Sequence, residues 1–217
     1  TQVKARTKEN IIFVTRDGGA MKVPVTHVPE NTIIDIPIAT GLSKGSVVGA
    51  GRETFEKDSH GILIVTNKGG VNVVNGGFPG GTEFQITKLT DDETILSATW
   101  LESKDNEEGF IVMVSTDGYV LKFPIEQIRT SNAGAGTVRG MNLSEDAYVA
   151  GVSVTDDENA QIVSCTYKTI KVTEMTEIPD RNRNAKGLLL QKLQKDDEVI
   201  SAFASKRVVA NKGTTSL

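Results

Sequence analysis

The 217-residue sequence has one cysteine, Cys165, and two histidines, His27 and His60. A lone thiol closes no internal disulfide, and so few soft ligands exclude a structural zinc site, so a reducing, cytoplasmic setting is expected. Long apolar runs are missing. Nothing approaches the roughly 18 consecutive apolar residues of a membrane span, and residues 1–9 are polar with no signal-peptide core, so no membrane partner is expected. Positive charge is not in excess: 24 Lys and Arg against 28 Asp and Glu leave a net charge of -4, which excludes bulk attraction to a polyanion. If the chain binds one, its cations must be clustered. Nucleotide-binding glycine patterns are absent too, since Gly134-Ala135-Gly136 stops short of Gly-x-Gly-x-x-Gly and no Gly-x-x-x-x-Gly-Lys-Ser/Thr occurs. His27 and His60 have no nucleophile or acid arranged beside them, and Asp91-Asp92-Glu93 and Asp196-Asp197-Glu198 read as solvated turns. No catalytic residue, metal ligand or cofactor is expected, and Cys165 reads as a small core residue. The Thr1 start reads as an excised piece of a longer protein.

What the chain does have is a repeat. A hydrophobic run leads into a polar turn at Ile11-Ile12-Phe13-Val14-Thr15-Arg16-Asp17-Gly18, at Ile62-Leu63-Ile64-Val65-Thr66-Asn67-Lys68-Gly69 and at Phe110-Ile111-Val112-Met113-Val114-Ser115-Thr116-Asp117-Gly118. Weaker copies end at Lys168 and Gly213, so the steps from 18 to 69, 118, 168 and 213 are 51, 49, 50 and 45 residues. A second marker keeps the same phase: Leu42, Leu89, Leu143 and Leu193 each lead through a polar stretch to a small apolar run beginning at Val47, Ile95, Val149 and Val199. Two markers in one phase define units 10–53, 61–102, 109–156 and 160–205, with a partial fifth at 207–217.

Short, β-branched runs bounded by Gly, Asp, Asn and Pro predict strands, four to a unit. In the third unit they are Phe110 to Val114, Tyr119 to Phe123, Thr137 to Leu143 and Tyr148 to Val154. The leading strands are apolar on both faces, as strands buried between neighbours must be. One four-stranded sheet cannot bury both its faces alone, so the units predict a single all-β domain, a propeller-like disc of about four four-stranded blades. Residues 207–217 are expected to act as a closing strand near the N-terminus, bringing Lys206, Arg207 and Lys212 towards Lys4, Arg6 and Lys8.

Trp100 is the only Trp, which excludes WD-type and Kelch blades, and Ser115-Thr116-Asp117-Gly118 breaks the spacing of a sialidase-type Asp box. The third unit instead runs Val114-Ser115-Thr116-Asp117-Gly118-Tyr119-Val120-Leu121-Lys122-Phe123-Pro124, Ile125 to Arg129, then Gly136-Thr137-Val138-Arg139-Gly140-Met141-Asn142-Leu143. That pattern resembles the repeat of the C-terminal β-pinwheel domain of the A subunit of bacterial type IIA topoisomerases, DNA gyrase and topoisomerase IV, and the resemblance covers nearly the whole chain. The box resembling Gln-Arg-Arg-Gly-Gly-Lys-Gly in gyrases is degenerate here, as Arg181-Asn182-Arg183-Asn184-Ala185-Lys186-Gly187. With four full units where relatives commonly have five or six blades, this leans towards topoisomerase IV and leaves gyrase open. The resemblance implies a non-catalytic, bacterial, chromosome-associated domain that binds and bends double-stranded DNA. Its partners would be the B subunit of an ATP-dependent holoenzyme together with the rest of the A subunit.

Charge placement says where such contact would fall. Residues 61–102 hold two cations and five acids, whereas residues 206–217 hold three cations and no acid. Across residues 157–205 the acids concentrate at Asp157, Glu158 and Asp196 to Glu198, leaving Lys168, Lys171, Arg181, Arg183, Lys186 and Lys192 between those two groups. The first candidates for DNA contact are Arg181, Arg183 and Lys186, followed by Arg129 and Arg139, which flank a small-residue loop. Arg16, Lys22 and Lys122 at repeat-equivalent turns and strand ends, with Lys206, Arg207 and Lys212, complete the set. Lysines at strand ends also serve to protect sheet edges. The competing expectation is a propeller-like protein-interaction module without DNA binding, which the pI of about 5.3 favours.

Overall fold

Each unit opens with a hairpin, fixed in the first three by a Thr/Ser-x-x-Gly turn. In the computed structural model, which describes residues 3, 5–28, 46–53, 61–101 and 109–206, Gly18, Gly69 and Gly118 take φ of 89°, 81° and 86°. Each donates its N–H to the carbonyl three residues back. Left-handed backbone there is cheap only for glycine. The fourth turn has none; the Thr166 N–H donates to the Thr169 carbonyl across Tyr167-Lys168.

The first unit supplies β1 (Asn10–Thr15), β2 (Gly19–Pro24) and β3 (Val47–Arg52). The second supplies β4 (Ile62–Thr66), β5 (Gly70–Val74), β6 (Phe84–Gln85), β7 (Thr87–Lys88) and β8 (Ile95–Trp100). The third supplies β9 (Phe110–Ser115), β10 (Tyr119–Pro124), β11 (Thr130–Ser131), β12 (Ala135–Gly136), β13 (Val138–Arg139) and β14 (Val149–Thr155). The fourth supplies β15 (Gln161–Thr166), β16 (Ile170–Glu174), β17 (Leu188–Leu189) and β18 (Val199–Ser205). Helical backbone among the described residues is limited to single 3-10 turns at Val25–His27, Ile125–Gln127 and Met175–Glu177.

The sheets do not coincide with the units. Their orders are β3-β1-β2-β6, then β8-β4-β5 with β11 and β13 on β5, then β14-β9-β10-β17, and finally β18-β15-β16. The short strand that completes each of the first three sheets thus comes from the following unit: Ala20 pairs with Phe84, Val71 with Val138 and Val120 with Leu188. This exchange ties successive blades together by backbone hydrogen bonds, beyond the burial of their faces.

Packing follows the two-residue alternation of the strands. Ile12, Val14 and Ala20 of the first sheet meet Ile62, Ile64 and Val74 of the second. The other face of the second, Leu63, Val65, Val71 and Val73, meets Ile111, Met113, Leu121 and Phe123 of the third. Val112, Val114 and Val120 then meet Ile162, Val199 and Ala202 of the fourth. Fully burying one such side chain stabilises by about 1.5–3 kcal/mol relative to exposure. The strands β3, β8, β14 and β18 touch their counterparts in the next sheet, and glycine makes the approach possible. A methyl group on Gly151 would collide with the Ala202 carbonyl oxygen, and one on Gly51 with the Trp100 ring.

Among the described residues the stack has an uncovered end. On the fourth sheet Ile170, Val172 and Phe203 are 71%, 52% and 49% exposed, and β15 alternates buried with half-buried residues. Cys165 lies in the half-buried set of that strand, not in the core as its sequence suggests, because among the described residues no sheet covers its face. The expected closing strand at residues 207–217, and His60, lie outside the described residues. His27 is exposed at the end of the first 3-10 turn.

Candidate nucleic-acid interface

Between each hairpin and the short strand given to the preceding sheet, the chain crosses that sheet's outer edge. The loop of the fourth unit is the most basic of these crossings. It runs along the third unit in steps of one backbone bond each: the Arg181 N–H donates to the Lys122 carbonyl at 3.0 Å, the Asn184 N–H to Gly140 at 2.5 Å, and the Asn142 N–H to Ala185 at 3.0 Å. Asn184 takes a φ of 68°, a left-handed conformation that asparagine tolerates better than most residues. The corresponding residue of the third unit is Gly134, at φ 85°, whose N–H donates to the Ile86 carbonyl.

This course brings five candidates together. Arg129, Arg139, Arg181 and Lys186 are exposed, and none of them has a salt bridge among the described residues. Lys186 Nζ lies 4.2 Å from the centroid of the Tyr119 ring, a cation–π contact that holds the ammonium over the outer edge. Arg183, half-buried, lies between them: its Nε donates to the Gln127 carbonyl and its Nη1 to the Arg139 carbonyl, both at 3.1 Å.

The remaining candidates are elsewhere or engaged. Lys122 Nζ is 2.7 Å from Asp180 Oδ1 and 4.8 Å from the Phe110 ring centroid, with its side chain 9% exposed. Lys22 Nζ is 3.0 Å from Glu53 Oε1. Both ammonium groups therefore face a carboxylate. Lys168 Nζ donates to the Lys195 carbonyl at 2.9 Å, and Lys171 Nζ to the Leu190 carbonyl at 2.5 Å. Arg16 is exposed at the first hairpin turn, and Lys206 is the last described residue. Arg207 and Lys212 lie outside the described residues.

Carboxylates follow a different geometry. The marker acids precede β8, β14 and β18, where the chain bonds to the hairpin turns: Asn67 N–H to Thr94, Thr116 N–H to Tyr148 and Val199 N–H to Thr116. Two acids there are structural, since Glu93 Oε1 accepts from Thr66 Oγ1 at 2.6 Å and Asp117 accepts from the hydroxyls of Ser115 and Ser144. Acid collects at the turn end, while the basic cluster occupies the loops across the outer edge. Sequence reasoning missed Gln127 and Tyr119, which hold that cluster. Gln127 ends a 3-10 turn whose counterparts end in His27 and Glu177, so nothing in the repeat marks it out.

The family described as DNA gyrase C-terminal domain, beta-propeller, matches residues 9–32, 109–156 and 169–206, about half of the chain. The chain belongs to this family. The DNA gyrase A subunit of Helicobacter pylori (strain J99 / ATCC 700824) is 23% identical over 211 residues, covering 92% of this chain and 25% of that protein. The DNA gyrase A subunit of Chlamydia muridarum (strain MoPn / Nigg) is 24% identical over 197 residues, covering 85% and 23%. This gyrase-family chain thus spans about a quarter of the length of these relatives. Among solved structures, the C-terminal domain of DNA topoisomerase IV superposes with a TM-score of 0.84 at 18% identity, covering 95% of this chain and 66% of that one. The E. coli ParC C-terminal domain gives 0.63 at 15%, covering 92% and 80%. These likenesses establish the β-pinwheel fold for this member of the gyrase C-terminal domain family. Among its described residues no helix is long and apolar enough to cross a membrane.

Proposed function

We propose that the domain binds and bends duplex DNA without sequence preference for a bacterial, cytoplasmic type IIA topoisomerase, holding a segment in position for the catalytic core. The reading rests above all on one observation: Arg129, Arg139, Arg181 and Lys186 gather on one outer edge with no carboxylate paired to them among the described residues. Cations gathered along one edge can meet successive phosphates, and each contact releases condensed counterions. Phosphate contacts position a duplex without reading its bases. Bending a short site costs about 1–6 kcal/mol by elastic estimates, so several contacts must act together. The A and B subunits of an ATP-dependent holoenzyme are the partners this role requires, and the domain itself carries no catalytic step.

A second reading, a protein-interaction module without DNA binding, is favoured by the apolar face of the fourth sheet at Ile170, Val172 and Phe203, which no other described residue covers. Titrating the chain with a duplex labelled at both ends separates the two. The DNA reading expects binding that weakens steeply between 50 and 200 mM salt, on the scale of about 10³-fold if some six phosphates are contacted. It also expects the labelled ends to draw together. Undetectable binding at low salt supports the interaction module.

A further inference from the structure

We propose that Arg183 is a positioning residue: its guanidinium clamps the basic loop of the fourth unit to that of the third and does not itself hold a phosphate. The proposal rests on the DNA-binding reading above for its consequence, though the clamp can be tested without DNA. Three bonds fix the side chain and its own backbone to the third unit. Nε donates to the Gln127 carbonyl and Nη1 to the Arg139 carbonyl, while the Arg183 N–H donates to Gln127 Oε1 at 2.8 Å. The Gln127 amide also reaches forward, its Nε2 donating to Asn182 Oδ1 at 3.5 Å. One residue on, Asn184 donates to Gly140.

The planar fork of the guanidinium is what permits this bridge. Two of its N–H groups reach carbonyls on two separate stretches of chain, a geometry a single ammonium point charge does not reproduce. Turning Arg183 outward to a phosphate would forfeit both bonds. Keeping it inward sets the spacing between Arg139 on one side and Arg181 and Lys186 on the other. The preceding crossing shows the contrast. There Ala133 stands in the place of Arg183, and the loop is held by Thr87 Oγ1 donating to the Ala135 carbonyl at 2.8 Å and Ser131 Oγ to Asn72 Oδ1 at 2.8 Å. The second and third units are joined there without a guanidinium.

Arg183→Lys keeps the charge and removes the fork, and it separates the two roles. Duplex titrations across a salt series are run on the 217-residue chain beside Arg183→Lys, Arg183→Ala, Gln127→Ala and the double variant Arg183→Ala/Gln127→Ala. Amide hydrogen exchange at Arg183 and Asn184 is followed without DNA. A clamp predicts that Arg183→Lys binds DNA as poorly as Arg183→Ala and that both speed exchange at these amides. It also predicts that uncharged Gln127→Ala weakens binding, with the double variant short of additivity by about twofold or more. Near-normal binding by Arg183→Lys, with Arg183→Ala lowering the salt slope by about 0.9 and Gln127→Ala without effect, would make Arg183 a phosphate contact and overturn the proposal. If the unaltered chain shows no salt-dependent DNA binding, the DNA reading fails by itself. Exchange then decides: faster exchange in Arg183→Lys sustains the clamp, and unchanged exchange refutes it.

Discussion

At the scale of single residues, a cation's sequence position says little about where its charge is spent. Lys122 within β10 and Arg139 at the end of β13 both belong to strands of the third unit, yet one is buried against Asp180 and Phe110 and the other is exposed. Lys122→Ala removes an ion pair and the packing of a long aliphatic stem, so we expect it to cost about 1–3 kcal/mol of stability. Thermal unfolding measures that loss. Because the Lys122 ammonium faces a carboxylate, the salt dependence of duplex binding should stay unchanged in the same variant. A drop of about 0.9 in the salt slope would instead return Lys122 to the DNA-contacting set. The sequence marked Lys22 and Lys122 as lysines at turns and strand ends; both lie inside their strands, β2 and β10, and what it could not show is that Glu53 and Asp180 meet them there from other parts of the chain. The same limit hid Gln127, whose amide works only on a loop from the next unit.

Elements were more legible than their neighbours. Apolar runs on both faces of β4 and β9 announce strands covered on each side, and every residue of β4 is buried. Periodicity reveals which face a residue takes, but not which strand lies alongside. Hence Phe84, Val138 and Leu188 read as strands of their own units, although each pairs with the unit before. These pairings are only two residues long, too short for an alternating pattern to declare itself. Exchange makes adjacent blades interdependent. Leu190, 2% exposed, follows β17 and packs between the third and fourth sheets, so Leu190→Ala should cost about 2–5 kcal/mol. Hydrogen exchange should report lost protection in β10 and β15 together, since β17 belongs to the third sheet and the cavity opens onto the fourth. Loss confined to β15 would mean that the exchanged strand contributes little to the third sheet.

Across the whole molecule, a net charge of -4 coexists with a basic edge because the repeat separates the two signs in space. The second, third and fourth units place their marker acids before the strand that packs against the neighbouring sheet, and their crossing loops on the outside. The third and fourth units load that loop with Arg and Lys; the second, from Asn75 to Glu83, has no cation there. A duplex would therefore be held mainly along the crossing loops of the third and fourth units and not evenly around the disc. The most direct measurement is the salt dependence of duplex affinity for the unaltered chain and for Arg129→Ala/Arg139→Ala/Arg181→Ala/Lys186→Ala, with thermal unfolding confirming that both are folded. If these four cations hold phosphates, the slope of log affinity against log salt should fall in magnitude by about 3.6, four contacts at about 0.9 each. An unchanged slope in a folded variant would contradict the account.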